Sequence, residues 1–206
     1  MMRQARSALI NIGLLATPLG RTARGGAAQG DILLMKDAHI LIEDGRITRV
    51  GAGQPDGQAL QQYEIVDAKG ALVTPGLVDA HTHLVFGGWR AHELQLKLAG
   101  VPYLEILKQG GGILDTVRQT RAADKEALKE KAARALDGML AQGTTTVEAK
   151  SGYGLDLDNE LKQLEAAAEL DQAHAVDIVS TLMAAHAVPP EYKDNRQGYM
   201  ELLIKT

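Results

Sequence analysis

From Leu72 onward the chain alternates strand-like and helical runs, and this alternation constrains the fold more than any other feature. A first apolar run, Leu77-Val78-Asp79-Ala80-His81-Thr82-His83-Leu84, follows the turn Thr74-Pro75-Gly76 and reads as a buried strand. Leu128, Ala132, Ala135, Leu136, Met139 and Leu140 recur at helical spacing, with Asp124 placed to cap that helix and Gly143 to end it. Thr144-Thr145-Thr146-Val147-Glu148-Ala149 is β-branched and predicts the next strand. Leu157, Leu161, Leu164 and Ala168 mark a further helix, and Val176 to Met183 a third strand. Strands separated by helices imply a parallel sheet or a (β/α) barrel, an α/β fold.

Residues 1–70 have a different texture. Ile32 to Met35 and Ala38 to Ile42 are short β-like runs, and Ile47 to Val50 resumes the pattern after Glu43-Asp44-Gly45-Arg46. Asp-Gly between apolar runs is a hairpin signal. The reading is a small antiparallel sheet, with the Gly/Ala-rich stretch from Arg21 to Gly30 as a flexible loop. The expected organisation is a β domain over 1–70 and an α/β domain over 71–206. Arg3 and Arg6 before Ala8 to Ala16 faintly resemble a signal peptide, but Asn11 and Gly13 interrupt the apolar run, so a strand ending at Thr17-Pro18 is the preferred reading.

Tyr199 to Thr206 has the texture of a helix being entered, and only three barrel-type strands precede it. A closed (β/α) barrel has eight strands and typically about 250 residues. The expectation is an incomplete barrel.

Composition removes several function classes. The net charge of -4 provides no basic excess to neutralise phosphates, so nucleic acid is not an expected partner. No uncharged apolar run approaches the roughly 20 residues that span a bilayer. Cysteine is absent, so any metal is held by His, Asp or Glu. Aromatics at 3% are too few for stacking platforms.

Against this background His81-Thr82-His83 stands out. Alternation along a strand points both imidazoles to one face, roughly 7 Å apart along the backbone. That places them to converge on one ion. Two histidines at a strand's C-terminal end are a poor core and a good start to a metal site. Lys150-Ser151-Gly152-Tyr153-Gly154 follows the second strand and sets one phenol between two glycines. Ala185-His186-Ala187-Val188-Pro189-Pro190 follows the third. In a (β/α) barrel the C-terminal strand ends converge on one mouth, so His81, His83, Tyr153 and His186 are expected there together. Arg90 offers a bidentate fork for a carboxylate. Gly110-Gly111-Gly112 lacks a following P-loop lysine and reads as a plain loop. His39, His92 and His174 read as surface or structural.

Taken together these motifs resemble the amidohydrolase superfamily, and within it the imidazolonepropionase family. Pro75 to His83 is similar to the superfamily's first-strand metal motif. His83-Leu84-Val85-Phe86-Gly87-Gly88-Trp89-Arg90, Gly110 to Leu114, Lys150 to Asp156 and His186 to Tyr192 are similar to the narrower family, in the same order. Trp89 stands where a small or polar residue is expected, Ala149 where a branched one is, and Ala185 where Gly is.

The resemblance implies a TIM-type (β/α)8 barrel, here only its first strands, preceded by part of a small β-sandwich. It implies hydrolytic opening of 4-imidazolone-5-propanoate to N-formimidoyl-L-glutamate in histidine degradation, with one Zn or Fe ion per active site. His81 and His83 match metal ligands. Arg90 matches the residue that binds the propionate, Tyr153 and His186 match substrate contacts, and Tyr103 is a weaker candidate for the carboxylate pocket. A further metal His and a catalytic Asp are implied on later strands, so these 206 residues are expected to be inactive alone. The resemblance also implies a cytoplasmic homodimer. Two other readings stay open: a hydantoinase-, dihydroorotase- or deaminase-like hydrolase, and a non-catalytic metal-binding half-barrel.

Overall fold

The computed structural model describes residues 6–20 and 22–205. Met1 and Arg3 of the signal-like pattern, Arg21 of the Gly/Ala-rich stretch and Thr206 lie outside them. The chain divides into two compact units, Met1–Pro75 and Gly76–Thr206.

The first unit is one sheet. β1 (Arg6–Pro18) pairs antiparallel with β2 (Ile32–Glu43), which pairs antiparallel with β3 (Arg46–Ala52). The two runs expected before and after Lys36-Asp37 form the single strand β2. The hairpin signal holds: Asp44 and Gly45 take φ of 50° and 74°, the two positive values a tight turn of this hand requires. A four-residue helix α1 (Gly57–Leu60) leads to β4 (Glu64–Asp67) and β5 (Leu72–Val73).

β4 and β5 both run parallel to β1, so the sheet is mixed, not purely antiparallel as expected. The reason is local. β1 shifts register between Leu9 and Ile12, where Asn11 adopts φ 55°, and its far edge takes two short strands in succession. Ile12, Leu15, Ala38 and Ile40 form the core of this unit. In the Gly/Ala-rich stretch, Gly26–Gly30 forms a short 3-10 turn rather than a featureless loop, and Arg24 pairs with Asp31 at 3.0 Å.

The second unit is built on the parallel sheet β6-β7-β8: β6 (Leu77–Thr82), β7 (Thr144–Lys150) and β8 (Asp177–Thr181). Three helices follow β6, namely α2 (Glu93–Leu98), α3 (Tyr103–Lys108) and α4 (Ile113–Ala122). α5 (Lys125–Ala141) precedes β7, and α6 (Leu157–Ala173) crosses from β7 to β8. α7 (Arg196–Lys205) lies near the end.

Asp124 caps α5 as the sequence predicts, its carboxylate accepting the Ala127 N–H at 2.7 Å. Leu128, Ala132 and Leu136 of α5 pack with Val147 and Ala149 of β7 and with Ala166, Ala167 and Leu170 of α6. Each large apolar side chain so buried contributes about 1.5–3 kcal/mol.

Two expectations about burial change. β6 is not buried: Leu77 is 57% and Val78 66% exposed, because β6 is an edge strand and α5 and α6 cover β7 and β8. In α6 the helix is where the spacing puts it, but its buried stripe is Glu160, Gln163, Ala166, Ala167 and Leu170, while Leu157 and Leu161 face outward. The helix therefore turns two polar side chains inward: Glu160 serves the loop beside it, while the Gln163 amide donates to the Asn159 carbonyl one turn back at 3.1 Å.

Candidate active site

β6 ends at Thr82, whose hydroxyl donates to the Glu148 carbonyl of β7 at 2.7 Å. That bond fixes the strand end from which His81 and His83 project. Their ring centroids lie 5.9 Å apart. His83 is the inner of the pair. Its ring stacks on His186 at 4.5 Å with 12° between planes, and lies 4.8 Å from Tyr153. Burial and the neighbouring His186 hold the His83 imidazole below the usual histidine range, with the Ser151 backbone opposing. His83 Nδ1 is buried without a hydrogen-bond partner.

His186 sits in a short 3-10 turn after β8, and its Nδ1 is 3.1 Å from the Gly152 carbonyl. Tyr153 and Arg90 line a cavity of about 500 Å³ together with His81, His83, Phe86 and Trp89. Burial pushes the Tyr153 phenol up, while the Arg90 charge pulls it down. Arg90 is half-buried, with Nη1 3.9 Å from Glu93 Oε2. The structure thus brings His81, His83, Arg90, Tyr153 and His186 together at one end of the parallel sheet. Tyr103 is 48% exposed at the start of α3 and is not among the residues lining the cavity. Among the described residues no group of three or more His, Asp or Glu side chains is arranged to hold an ion.

The loops that carry these residues are pinned from behind. Glu160 is 1% exposed, and its carboxylate accepts the N–H groups of Gly152, Gly154 and Leu155 at 2.8–2.9 Å. Arg121 of α4 donates to the Gly154 carbonyl at 2.7 Å and pairs with Asp156 and Glu191, joining the Tyr153 loop to the segment after His186. Glu93 Oε1 accepts the Gly112 N–H at 2.5 Å, so the Gly110 to Gly112 loop is tied to the helix that follows Arg90. The sequence reading missed all three anchors. For Glu160 one signal existed: a charged residue on the same helical stripe as Gln163 and Ala167.

The remaining histidines keep structural roles. His39 is buried with Nδ1 2.8 Å from the Gly53 carbonyl. His174 accepts the Val176 N–H and lies 3.2 Å from Asp137. His92 is exposed just before α2.

Residues 64–105 match the model of the amidohydrolase family. The chain is 53% identical over 181 residues to an imidazolonepropionase of Streptococcus sanguinis, covering 87% of this chain and 43% of that protein. It is 56% identical over 168 residues to one from Treponema denticola, covering 81% of this chain and 41% of that protein.

The chain is similar over most of its own length to imidazolonepropionases.

The family resemblance drawn from the motifs therefore holds, and the chain spans about two fifths of the length of the curated imidazolonepropionases it matches. Solved structures agree on the fold. The guanine deaminase of E. coli superposes with a TM-score of 0.59 at 16% identity, covering 98% of this chain and 42% of that one. The guanine deaminase of Bradyrhizobium japonicum gives 0.56 at 19%, covering 96% and 41%. Neither likeness bears on substrate.

Proposed function

We propose that these residues form part of the active site of a hydrolase that opens 4-imidazolone-5-propanoate to N-formimidoyl-L-glutamate. The observation that carries the reading is the convergence of His81, His83, Arg90 and Tyr153 on one cavity, with His186 stacked on His83, in a chain similar to the imidazolonepropionases. In this reading the second unit supplies the opening strands of a TIM-type barrel, and the first unit supplies part of a small β-sandwich. A cytoplasmic homodimer belongs to the same reading. Among the described residues no helix is long and apolar enough to cross a membrane.

The donor set fits an ion. His83 offers a buried nitrogen that finds no hydrogen bond in the protein, and His81 offers a second imidazole 5.9 Å away between ring centroids. His81 and His83 would hold Zn or Fe, with ligands beyond these 206 residues completing the set. When bound, the ion supplies Lewis acidity toward the carbonyl under attack.

The other residues bind and orient. Arg90 faces the cavity with a planar fork and takes the propionate carboxylate as a charge-assisted pair. Tyr153 and His186 flank His83 and contact the ring. The Gly152 carbonyl fixes the His186 ring orientation by engaging Nδ1, leaving Nε2 for the substrate. In the net reaction the oxygen of water bonds to the ring carbonyl carbon, the adjacent C–N bond breaks, and the freed nitrogen takes up a proton.

The test is turnover by the complete protein, loaded with Zn or Fe, of imidazolonepropanoate against dihydroorotate and hydantoins. Ring opening of imidazolonepropanoate alone, with R90M raising KM more than it lowers kcat, is the expected result. Preference for a ring without the propionate arm would overturn the substrate assignment.

A further inference from the structure

The segment Phe86-Gly87-Gly88-Trp89-Arg90 reaches the cavity as irregular backbone, without a strand or helix to hold it. Something else must fix where Arg90 points. Lys131 projects from the middle of α5 into the back of this loop. Its ammonium donates to the Phe86 carbonyl at 3.1 Å and to the Gly88 carbonyl. It also lies 3.2 Å from the centroid of the Phe86 ring and 4.1 Å from that of Trp89, whose rings meet edge to face at 5.4 Å. An ammonium has three N–H donors; two are spent on carbonyls two residues apart, and the charge is shared with two aromatic faces. Thr120 of α4 holds the intervening residue, accepting the Gly87 N–H at 2.9 Å.

This arrangement gives Trp89, one of the three departures noted in the sequence, a structural role. It is the one tryptophan of the chain and is 68% exposed, yet one ring face is engaged by a cation. Partial burial among these groups pulls the Lys131 ammonium down to about 8.

We propose that Lys131 is a positioning residue: by clamping residues 86–89 through two carbonyls and two rings, it sets Arg90 at the cavity in the orientation that receives a carboxylate. The inference rests on the reading of Arg90 given under Proposed function. Lys131 touches no substrate and acts only through the loop. A misplacement of about 1 Å in a binding fork is enough to be measured.

The experiment uses the complete protein labelled with 5-fluorotryptophan, the Trp89 19F signal being the one missing from W89F. Imidazole-4-propionate, a stable ring with the same propionate arm, is the probe. K131M is expected to shift the Trp89 signal and to raise the probe Kd about ten-fold, whereas K131R, which keeps the cation, stays within about three-fold. In an R90M background K131M is expected to add less than about two-fold, because the effect passes through Arg90. If K131M does not fold, K131Q takes its place, since it keeps donors for the carbonyls but loses the charge. Two results overturn the inference: a 19F signal and Kd unchanged in K131M, or a loss in the R90M background as large as in the wild type. If R90M itself binds the probe as the wild type does, the reading of Arg90 has failed instead. The 19F signal then decides alone whether Lys131 holds the loop.

Discussion

Glu160 Oε1 accepts the Gly154 N–H at 2.8 Å, and the same oxygen accepts the next N–H, from Leu155. With Oε2 on Gly152, one buried carboxylate satisfies the backbone on both sides of Tyr153. Replacing it leaves donors buried without acceptors, each of which costs on the order of 1–3 kcal/mol. We predict that E160A lowers the unfolding free energy by about 3 kcal/mol, and E160Q by less. Urea denaturation followed by circular dichroism measures both, and a loss under about 1 kcal/mol for E160A would show that water can replace the carboxylate.

Leu136 is fully buried between α5, β7 and α6. L136A removes its contacts and leaves a cavity, so we expect a loss of about 3 kcal/mol with the slope of the denaturation curve unchanged. A neutral substitution there would mean that the sheet and helices collapse freely onto the gap.

Two glycines are expected to respond to alanine with opposite signs. A Cβ at Gly87 would run into the backbone of Gln119 and Thr120, so G87A must displace the loop that carries Arg90. Gly138 lies inside α5 with nothing near its Cβ position, and G138A should stabilise by about 1 kcal/mol through helix propensity. Paired melting curves read both. Equal and small shifts would contradict the close approach at Gly87.

Glu169 on α6 pairs with Lys125 and Lys129 on α5, each at 2.6 Å, and these bonds hold its carboxyl at about 2. The folded value lies below the unfolded one near 4.5. The contribution is therefore present above pH 4.5 and is lost as pH falls toward 2. E169Q should lower stability near neutrality and converge with the wild type as pH falls toward 2, flattening the acid limb in that window. An identical acid limb in the variant would remove the pair from the account of acid unfolding.

Most of the frame was legible because it depends on local signals. The Asp44-Gly45 turn, the Asp124 cap, and β-branched Thr144 to Thr146 each act within a few residues. The convergence of His81, Arg90, Tyr153 and His186 was legible because strands separated by helices run parallel and bring their C-terminal ends to one side. What the sequence concealed depends on partners distant in the chain. Lys131 reaches a loop 43 to 45 residues earlier, and Arg121 reaches Glu191 70 residues later. Neither spacing leaves a periodic trace. The inward face of α6 was misread for a related reason. Leu157 and Leu161 satisfy an apolar spacing, but the demand of three loop N–H groups for an acceptor turns Glu160 inward instead.

Glu160, Lys131, Arg121 and Glu93 all stand on or beside helices and grip backbone, whereas Tyr153, Arg90 and His186 occupy the tips of the gripped loops. Holding the backbone is thus left to side chains other than those gathered at the end of the sheet. A tip can be exchanged without releasing its loop, because the fastenings do not pass through it.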